Sequence, residues 1–252
     1  MALVIFGRKL DNHFTILIPS YNAEGFVRKN LGSVLSQKYK NYLIYYVDDN
    51  STDKTYKIAK DLLSDEHIIV RNSFNKGKMD NVFSSLKALK NKNTIVLILD
   101  GDDWLFDGEV LSYLNEVYKN PDIWMTSGSY LESDTKNIIR PNIDYDFWVG
   151  NIRKKQWKTS HLISFRLELF LKIKRKDFMK KNGEFFSTTS DQAMIFPMIE
   201  MAGREHFLEI KDLLYVYNRD NPLSDDKIYR EDQLRTEKYI RSLQPYKQLD
   251  TI

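Results

Sequence analysis

The feature that most constrains this chain is an alternation of short apolar runs, each broken off by polar residues, with stretches whose apolar residues recur at helical spacing. Residues 14–18 (FTILI) form a compact run ended by Pro19 and read as a buried strand. Val27, Leu31, Val34 and Leu35 then fall at helical spacing, with Asn22 as the expected cap. Residues 42–47 predict a second strand. Ser51, Thr52 and Asp53 supply cap chemistry for a helix carrying Thr55, Ile58, Ala59, Leu62 and Leu63 on its apolar face. Residues 67–70 predict a third strand, and Met79, Val82, Phe83, Leu86 and Leu89 the next helix. Residues 94–99 form the most apolar strand, followed by a helix on Val110, Leu111, Leu114 and Val117.

Strands without internal alternation, joined by helices of about a dozen residues, predict a parallel sheet covered on both faces. Ligands of such sheets bind beyond the carboxyl ends of the strands. The most polar punctuation falls there, at 19–22, 48–53, 72–78 and 100–103, so four strand ends converge on one crevice. The second half is less regular, with mixed signals around 124–130, 160–173, 192–201 and 213–217. From 225 to 243, Asp226/Arg230 and Glu231/Arg235 stand at i,i+4 spacing and predict an exposed helix.

Composition removes several classes. A hydrophobic share of 42% is enough for a substantial core, which excludes wholesale disorder. The absence of cysteine excludes a disulfide scaffold, a thiolate zinc site and a cysteine nucleophile. No run approaches the ~18 apolar residues of a membrane span, and the N-terminal apolar stretch is short for a signal peptide. The expected location is the cytoplasm. The net charge of +3 is unevenly spread: residues 151–181 carry 11 basic and 2 acidic residues, whereas 1–150 sum to −2 and 182–252 to −4. A polyanionic partner is one meaning of such a segment, and a solvated lysine-rich face is the other.

The sharpest chemical feature is Asp100-Gly-Asp-Asp103 after the most apolar strand. Three carboxylates within four residues repel one another, and a divalent cation neutralises them. Hard oxygen ligands suit Mg²⁺ or Mn²⁺, which also bind substrate phosphates. The bland alternative is an acidic turn capping the next helix. Read as a calcium EF-hand loop, the stretch puts Leu105 where glycine belongs and Leu111 where glutamate belongs. Asp48 to Asp53 is a second acidic cluster, able to accept from a nucleobase imide or a ribose hydroxyl, or to cap a helix. Phosphate-loop, dinucleotide, serine-hydrolase and zincin motifs are missing, and His13, His67, His161 and His206 form no short-range pair.

IPSYN at 18–22, VDDNSTD at 47–53 and LDGDDW at 99–104 resemble, in order and spacing, the family 2 inverting glycosyltransferases of GT-A fold. NKG at 75–77, FR at 165–166 with LF at 169–170, SDQAMIFPMIEMAG at 190–203, and LYVYN at 214–218 with LS at 223–224 extend the resemblance over residues 14–224. It implies one GT-A-like domain over 1–252, an α/β fold with a mostly parallel sheet flanked by helices. A nucleotide-sugar half would cover about 13–130, an acceptor half about 131–224 and a helical tail 225–252. By resemblance Pro19, Tyr21, Asn22, Asp48, Asp49, Lys76, Asp100 and Gly101 would bind the nucleotide sugar, a UDP-sugar where Asp49 accepts from uracil. Asp102 would be the principal ligand of Mn²⁺ or Mg²⁺, joined by Asp100 and Asp103. Apart from the resemblance, His161 beside the basic segment reads as a late metal ligand or an acceptor contact, or else as a structural histidine. Asp191 would be the general base, its alternative being the cap of an apolar helix from Ala193. Ser190, Pro197, Met198 and Asn218 depart from the family pattern on the acceptor and phosphate side.

The expected reaction is transfer of a sugar from a nucleotide-diphosphate donor to an acceptor hydroxyl on a saccharide or other glycoconjugate. The basic segment 153–181, interleaved with aromatic residues, makes Trp157, Lys158, His161 and Arg166 candidate acceptor contacts. It leaves open a nucleic acid such as hydroxymethylated DNA, a teichoic-type polymer or an anionic membrane surface. Two other classes stand beside this reading. A nucleotidyltransferase lacks its usual glycine-rich basic loop here, and the intact acidic cluster argues against a non-catalytic binding module.

Overall fold

The computed structural model describes residues 11–159, 161–221 and 230–252. In chain order these form β1 (Phe14–Ser20), α1 (Val27–Leu35), β2 (Tyr42–Asp48), α2 (Thr55–Leu62), β3 (Ile68–Arg71), α3 (Lys78–Ala88) and β4 (Ile95–Ile98). They continue with β5 (Trp104–Leu105), α4 (Val110–Tyr118), β6 (Met125–Glu132), β7 (Ile138–Ile139), β8 (Ile163–Arg166) and α5 (Leu167–Leu171). The last elements are α6 (Ser190–Ala202), β9 (Phe207–Tyr217) and α7 (Arg230–Ser242). Every residue of β1 is buried, as its unbroken apolar pattern requires of a central strand. β1 pairs in parallel with β2 from Phe14↔Tyr42 to Ser20↔Asp48, and with β4 from Phe14↔Ile95 to Leu17↔Ile98.

The sheet order is β3-β2-β1-β4-β8-β6-β9-β5, with β7 paired to β6. The first four strands are parallel, whereas β8 runs antiparallel to both β4 and β6. The chain places β2 and β3 on one side of β1 and β4 on the other. That reversal leaves a crevice beyond the carboxyl ends of β1 and β4, where open α/β sheets bind ligands.

Period-two alternation divides the core between the two faces of the sheet. Phe14, Ile16 and Ile18 pack with Val27, Leu31 and Val34 of α1 and with Leu111 and Leu114 of α4. Leu17 and Val96 pack on the other face with Val82 and Leu86 of α3 and with most of α6. Both clusters draw residues from both halves of the chain.

Three local expectations need correction. Asn22 does not cap α1, which starts at Val27. At φ 48° it instead bridges two strand ends, its Oδ1 accepting from Thr52 N at 2.9 Å and its N–H donating to Ser51 Oγ at 2.9 Å. α6 starts at Ser190, so Asp191 lies in its first turn rather than before it. The tail helix is not wholly exposed, because Thr236 and Ile240 are buried, and Arg235 pairs with Asp232 at 3.6 Å rather than with Glu231. The expected Asp226/Arg230 pair involves a position outside the described residues.

Candidate active site

A cleft of about 1460 Å³ lies over the carboxyl ends of β1, β2 and β4, between the 74–78 loop and α7. Single small-molecule pockets run to roughly 300–1,000 Å³, so the space suits two substrates together.

At one end stands Asp49, buried just past β2. Its Oδ1 accepts from Asn72 Nδ2 at 2.7 Å and Lys76 N at 2.9 Å, and its Oδ2 from Gly77 N at 2.8 Å. Gly77 has φ +84°, a conformation costly for other residues, which explains a glycine at this turn. A carboxylate offers about four acceptor sites, so Asp49 keeps one on Oδ2 for an incoming N–H. Tyr21 (49% exposed) and Phe74 (61% exposed) line the same end with accessible rings, and Pro19, Asn22 and Lys76 complete it. The Asn72 amide also bonds Asn81 Oδ1 at 2.7 Å, which ties the loop to α3.

On the cleft floor, Asp100, Gly101 and Asp102 follow β4. Lys78 Nζ lies 2.6 Å from Asp100 Oδ1. Burial alone would raise the Asp100 carboxyl, but Lys78 and His161 outweigh it and hold it below its ordinary value. Asp102 is pushed up, by burial first and the charge of Asp100 second, against the pull of Asn221 Nδ2 at 2.7 Å from its Oδ2. Both carboxylates line one space, and the charge of Asp100 helps push Asp102 up, a repulsion that a divalent cation would relieve. Asp100 and Asp102 are the residues that fit one. Among the described residues no cluster of three or more His, Cys, Asp or Glu side chains could hold a metal. Mg²⁺ and Mn²⁺ sites of this kind draw further ligands from substrate phosphates and water.

Asp103 does not join them. It is buried, and its carboxylate accepts from Tyr215 Oη at 2.5 Å and Asn218 N at 2.7 Å. Those partners arrive because β5, immediately after the acidic loop, pairs with the end of β9. Its place is a structural clamp, not a ligand facing the cleft. Asp48 is displaced likewise: it is buried, accepts from Ser51 N at 3.2 Å and pairs with Arg71 Nε at 3.3 Å, and takes no part in the cleft wall.

Asn30 was not anticipated. From α1 its Nδ2 donates to the carbonyls of Asp100 (2.9 Å) and Asp103 (2.8 Å), fixing both ends of the acidic loop. Its signal was a buried-face position, three residues after Val27, filled by a polar side chain.

Gly101 is the other constraint on the loop. A Cβ there would stand 2.5 Å from Ser20 Oγ and 3.0 Å from Ser20 Cα. Gly101→Ala is therefore expected to cost about 1–3 kcal/mol in thermal denaturation and to displace Asp100 and Asp102 together.

Across the cleft, Asp191 shares the α6 end of the wall with Thr188 and Gln192, and α7 contributes Asp232 and Arg235. His161 lies between the two sets, stacked on Tyr215 (4.9 Å between ring centroids) and Tyr217 (5.7 Å). Burial lowers its basicity, while Asp100 and Asp191 oppose that shift. It lines the cleft but completes no three-ligand cluster with Asp100 and Asp102.

The remaining acceptor candidates are elsewhere. Trp157 packs edge-on against Phe196, Lys158 pairs with Asp144 at 2.5 Å, and Arg166 donates to the carbonyls of Tyr118, at the end of α4, and of Asn120 and Ile123 beyond it. Arg153 is buried against Glu200. Arg153, Lys158 and Arg166, three of the segment's 11 basic residues, thus serve internal contacts, whereas Arg175 and Lys180 reach the cleft rim.

This fold occurs in nucleotide-sugar transferases. Staphylococcus aureus TarS 1–349, solved in complex with UDP-GlcNAc, matches with a TM-score of 0.65 at 16% identity, over 90% of this chain and 65% of that one. The mannosyltransferase PcManGT from Pyrobaculum calidifontis, in complex with GDP-Man and Mn²⁺, matches at 0.60 and 20% identity, over 94% and 66%. The architecture is GT-A-like. The chain belongs to glycosyl transferase family 2, whose sequence model matches residues 15–198. It is 30% identical over 116 residues to glycosyltransferase GlyA of Streptococcus pneumoniae, covering 44% of this chain and 15% of that protein. It is 28% identical over 120 residues to WfaP of Escherichia coli, a UDP-Glc:alpha-D-GlcNAc-diphosphoundecaprenol beta-1,3-glucosyltransferase, covering 48% and 47%. The chain spans less than half the length of these two curated relatives.

Proposed function

We propose that this chain transfers a sugar from a UDP-linked donor to a hydroxyl of a saccharide or glycoconjugate, with inversion at the anomeric carbon. The observation carrying this reading is one cleft that holds the Asp49 carboxylate, Asp100 with Asp102, and Asp191, at the switch point of a family 2 fold. The names of the relatives agree: WfaP takes UDP-Glc, and TarS was solved with UDP-GlcNAc.

Each residue then has a task. The open acceptor site on Asp49 takes the imide N–H of uracil, and Tyr21 stacks on the ring. Asp102 and Asp100 would hold Mn²⁺ or Mg²⁺, and such an ion would offset the charge of a diphosphate leaving group. Asn221 Nδ2 donates to Asp102 Oδ2 and would steady that carboxylate. Asp191 accepts the proton of the acceptor hydroxyl as that oxygen attacks, because an alcohol is too weak an acid to attack unaided. Attack opposite the leaving group inverts the centre in one displacement.

A saccharide suits the geometry better than a nucleic acid, since Arg153, Lys158 and Arg166 of the basic segment are spent on carboxylates and carbonyls inside the molecule. No helix among the described residues is long and apolar enough to cross a membrane.

Thermal denaturation with UDP and Mn²⁺ tests the donor half. Ligand at 100 times its Kd stabilises by about 2.7 kcal/mol. For a domain of this size that raises Tm by roughly 5–10 °C, and removing Mn²⁺ with EDTA abolishes the rise. A Tm indifferent to UDP with Mn²⁺ refutes the donor site. Sugar release from a UDP-sugar then separates an enzyme from a binding module.

A further inference from the structure

The N-terminus of α6 holds more hydrogen-bonding capacity than the protein itself uses. Thr189 precedes it in a left-handed conformation, φ 59°, and provides no side-chain cap. Ala193 N reaches Thr189 O at 3.3 Å, whereas the N–H groups of Ser190, Asp191 and Gln192 find no acceptor among the described residues. Beside them, Thr188 is 4% exposed and Gln192 8% exposed, yet Thr188 Oγ1 and Gln192 Oε1 have no hydrogen-bond partner among the described residues. Both residues line the cleft on either side of Asp191 in sequence. Buried polar atoms are seldom left unpaired, and two together on a substrate cleft mark a place where a ligand completes them.

The mixture of groups selects the ligand chemistry. Backbone N–H groups donate, the Asp191 carboxylate accepts, the Thr188 hydroxyl does both, and the Gln192 amide pairs with a hydroxyl in either orientation. A phosphate or carboxylate brings negative charge and accepts only, so it would be repelled by Asp191. An ammonium only donates and would leave the N–H groups bare. A hydroxyl donates and accepts, and a sugar presents several side by side.

We propose that Thr188 and Gln192 form an acceptor subsite that reads a sugar hydroxyl adjacent to the one whose proton Asp191 takes. The proposal rests on the transferase reading above and adds to it the residues that choose among acceptor sugars. It also separates acceptor choice from the basic segment.

The test uses the full chain with Mn²⁺, UDP-glucose or UDP-GlcNAc as donor, and octyl β-glycosides of glucose, galactose, GlcNAc and GalNAc as acceptors. The wild type is expected to prefer one glycoside over the others and over water. Thr188→Val and Gln192→Leu each raise the KM for that glycoside about 3–10-fold, the range of a single neutral hydrogen bond, while Thr188→Ser restores it. Removing the neighbouring hydroxyl from the glycoside costs the wild type a similar factor and costs the Gln192→Leu variant little more, a coupling that a structural role does not produce. The Tm rise with UDP and Mn²⁺ reports that each variant is folded. A wild type that selects no glycoside, or variants with unchanged KM and the full deoxy penalty, overturns the subsite. A wild type with neither a UDP-induced Tm rise nor sugar release overturns the transferase reading itself, and the subsite with it.

Discussion

Asp191→Asn is expected to lower sugar transfer by about 10²–10⁴-fold, the usual contribution of a positioned general base, while keeping the Tm rise with UDP and Mn²⁺. Asparagine preserves the shape of the side chain in the first turn of α6, so the fold and the opposite wall are undisturbed. The amide oxygen keeps its lone pairs but not the basicity of a carboxylate, so under the proposed function it no longer takes the acceptor proton. Asp102→Asn is expected to behave differently, losing the UDP–Mn²⁺ shift together with transfer, because under the proposed function its carboxylate, which lines the cleft, holds the cation. Paired kinetics and melting curves separate the two roles. Near-normal turnover by Asp191→Asn, with Asp102→Asn inactive, would mean that another group takes the proton.

The contrast between Asp102 and Asp103 shows what a sequence can and cannot carry. The strands around the acidic loop are legible because period and punctuation are local properties: β1, β2 and β4 lie where their apolar runs place them, with their polar ends at one crevice. The acidic run itself is also local. Which of its carboxylates face the cleft is not. Asp103 is claimed by Tyr215 and Asn218, more than a hundred residues onward, through a two-residue strand pairing that no periodicity announces. Which side chains of the basic segment are already engaged is non-local for the same reason. Charge counts see Lys158 and Arg166 but not Asp144, or the carbonyls at the end of α4 and beyond it, that occupy them. Asn30 lies between these cases. A polar residue on an apolar helix face is visible in the sequence, whereas its bonds to the loop carbonyls are not. Asp49 is legible as a candidate at a strand end, and its cradle of Lys76 and Gly77 N–H groups is visible only in the fold.

The same logic gives the largest expected effect on stability, at Arg153. Its Nε and Nη2 meet the two carboxylate oxygens of Glu200 at 2.6 and 2.8 Å, with both side chains buried. Its Nη1 donates to Ile240 O of α7 at 2.9 Å, and Glu200 Oε2 also accepts from Tyr246 N at 2.9 Å. One ion pair therefore fastens α6, the helix whose first turn carries Asp191, to α7 and to the chain beyond it. Removing one member leaves the other charge buried and unanswered, which costs about 3–5 kcal/mol, or a fall in Tm of the order of 6–20 °C for a domain of this size. Arg153→Met and Glu200→Met are each expected to show that loss in thermal denaturation. The double variant should recover much of it, because neither charge then needs compensation and the site keeps similar apolar volume. If the double variant melted as low as the singles, the bonds to Ile240 and Tyr246 would be what the arginine and glutamate are kept for. If the singles melted with the wild type, the pair would be open to water in solution. The double variant also reaches beyond stability. With α7 no longer held by a charge, transfer should fall while UDP still raises Tm, since Asp232 and Arg235 of α7 line the cleft opposite the donor end.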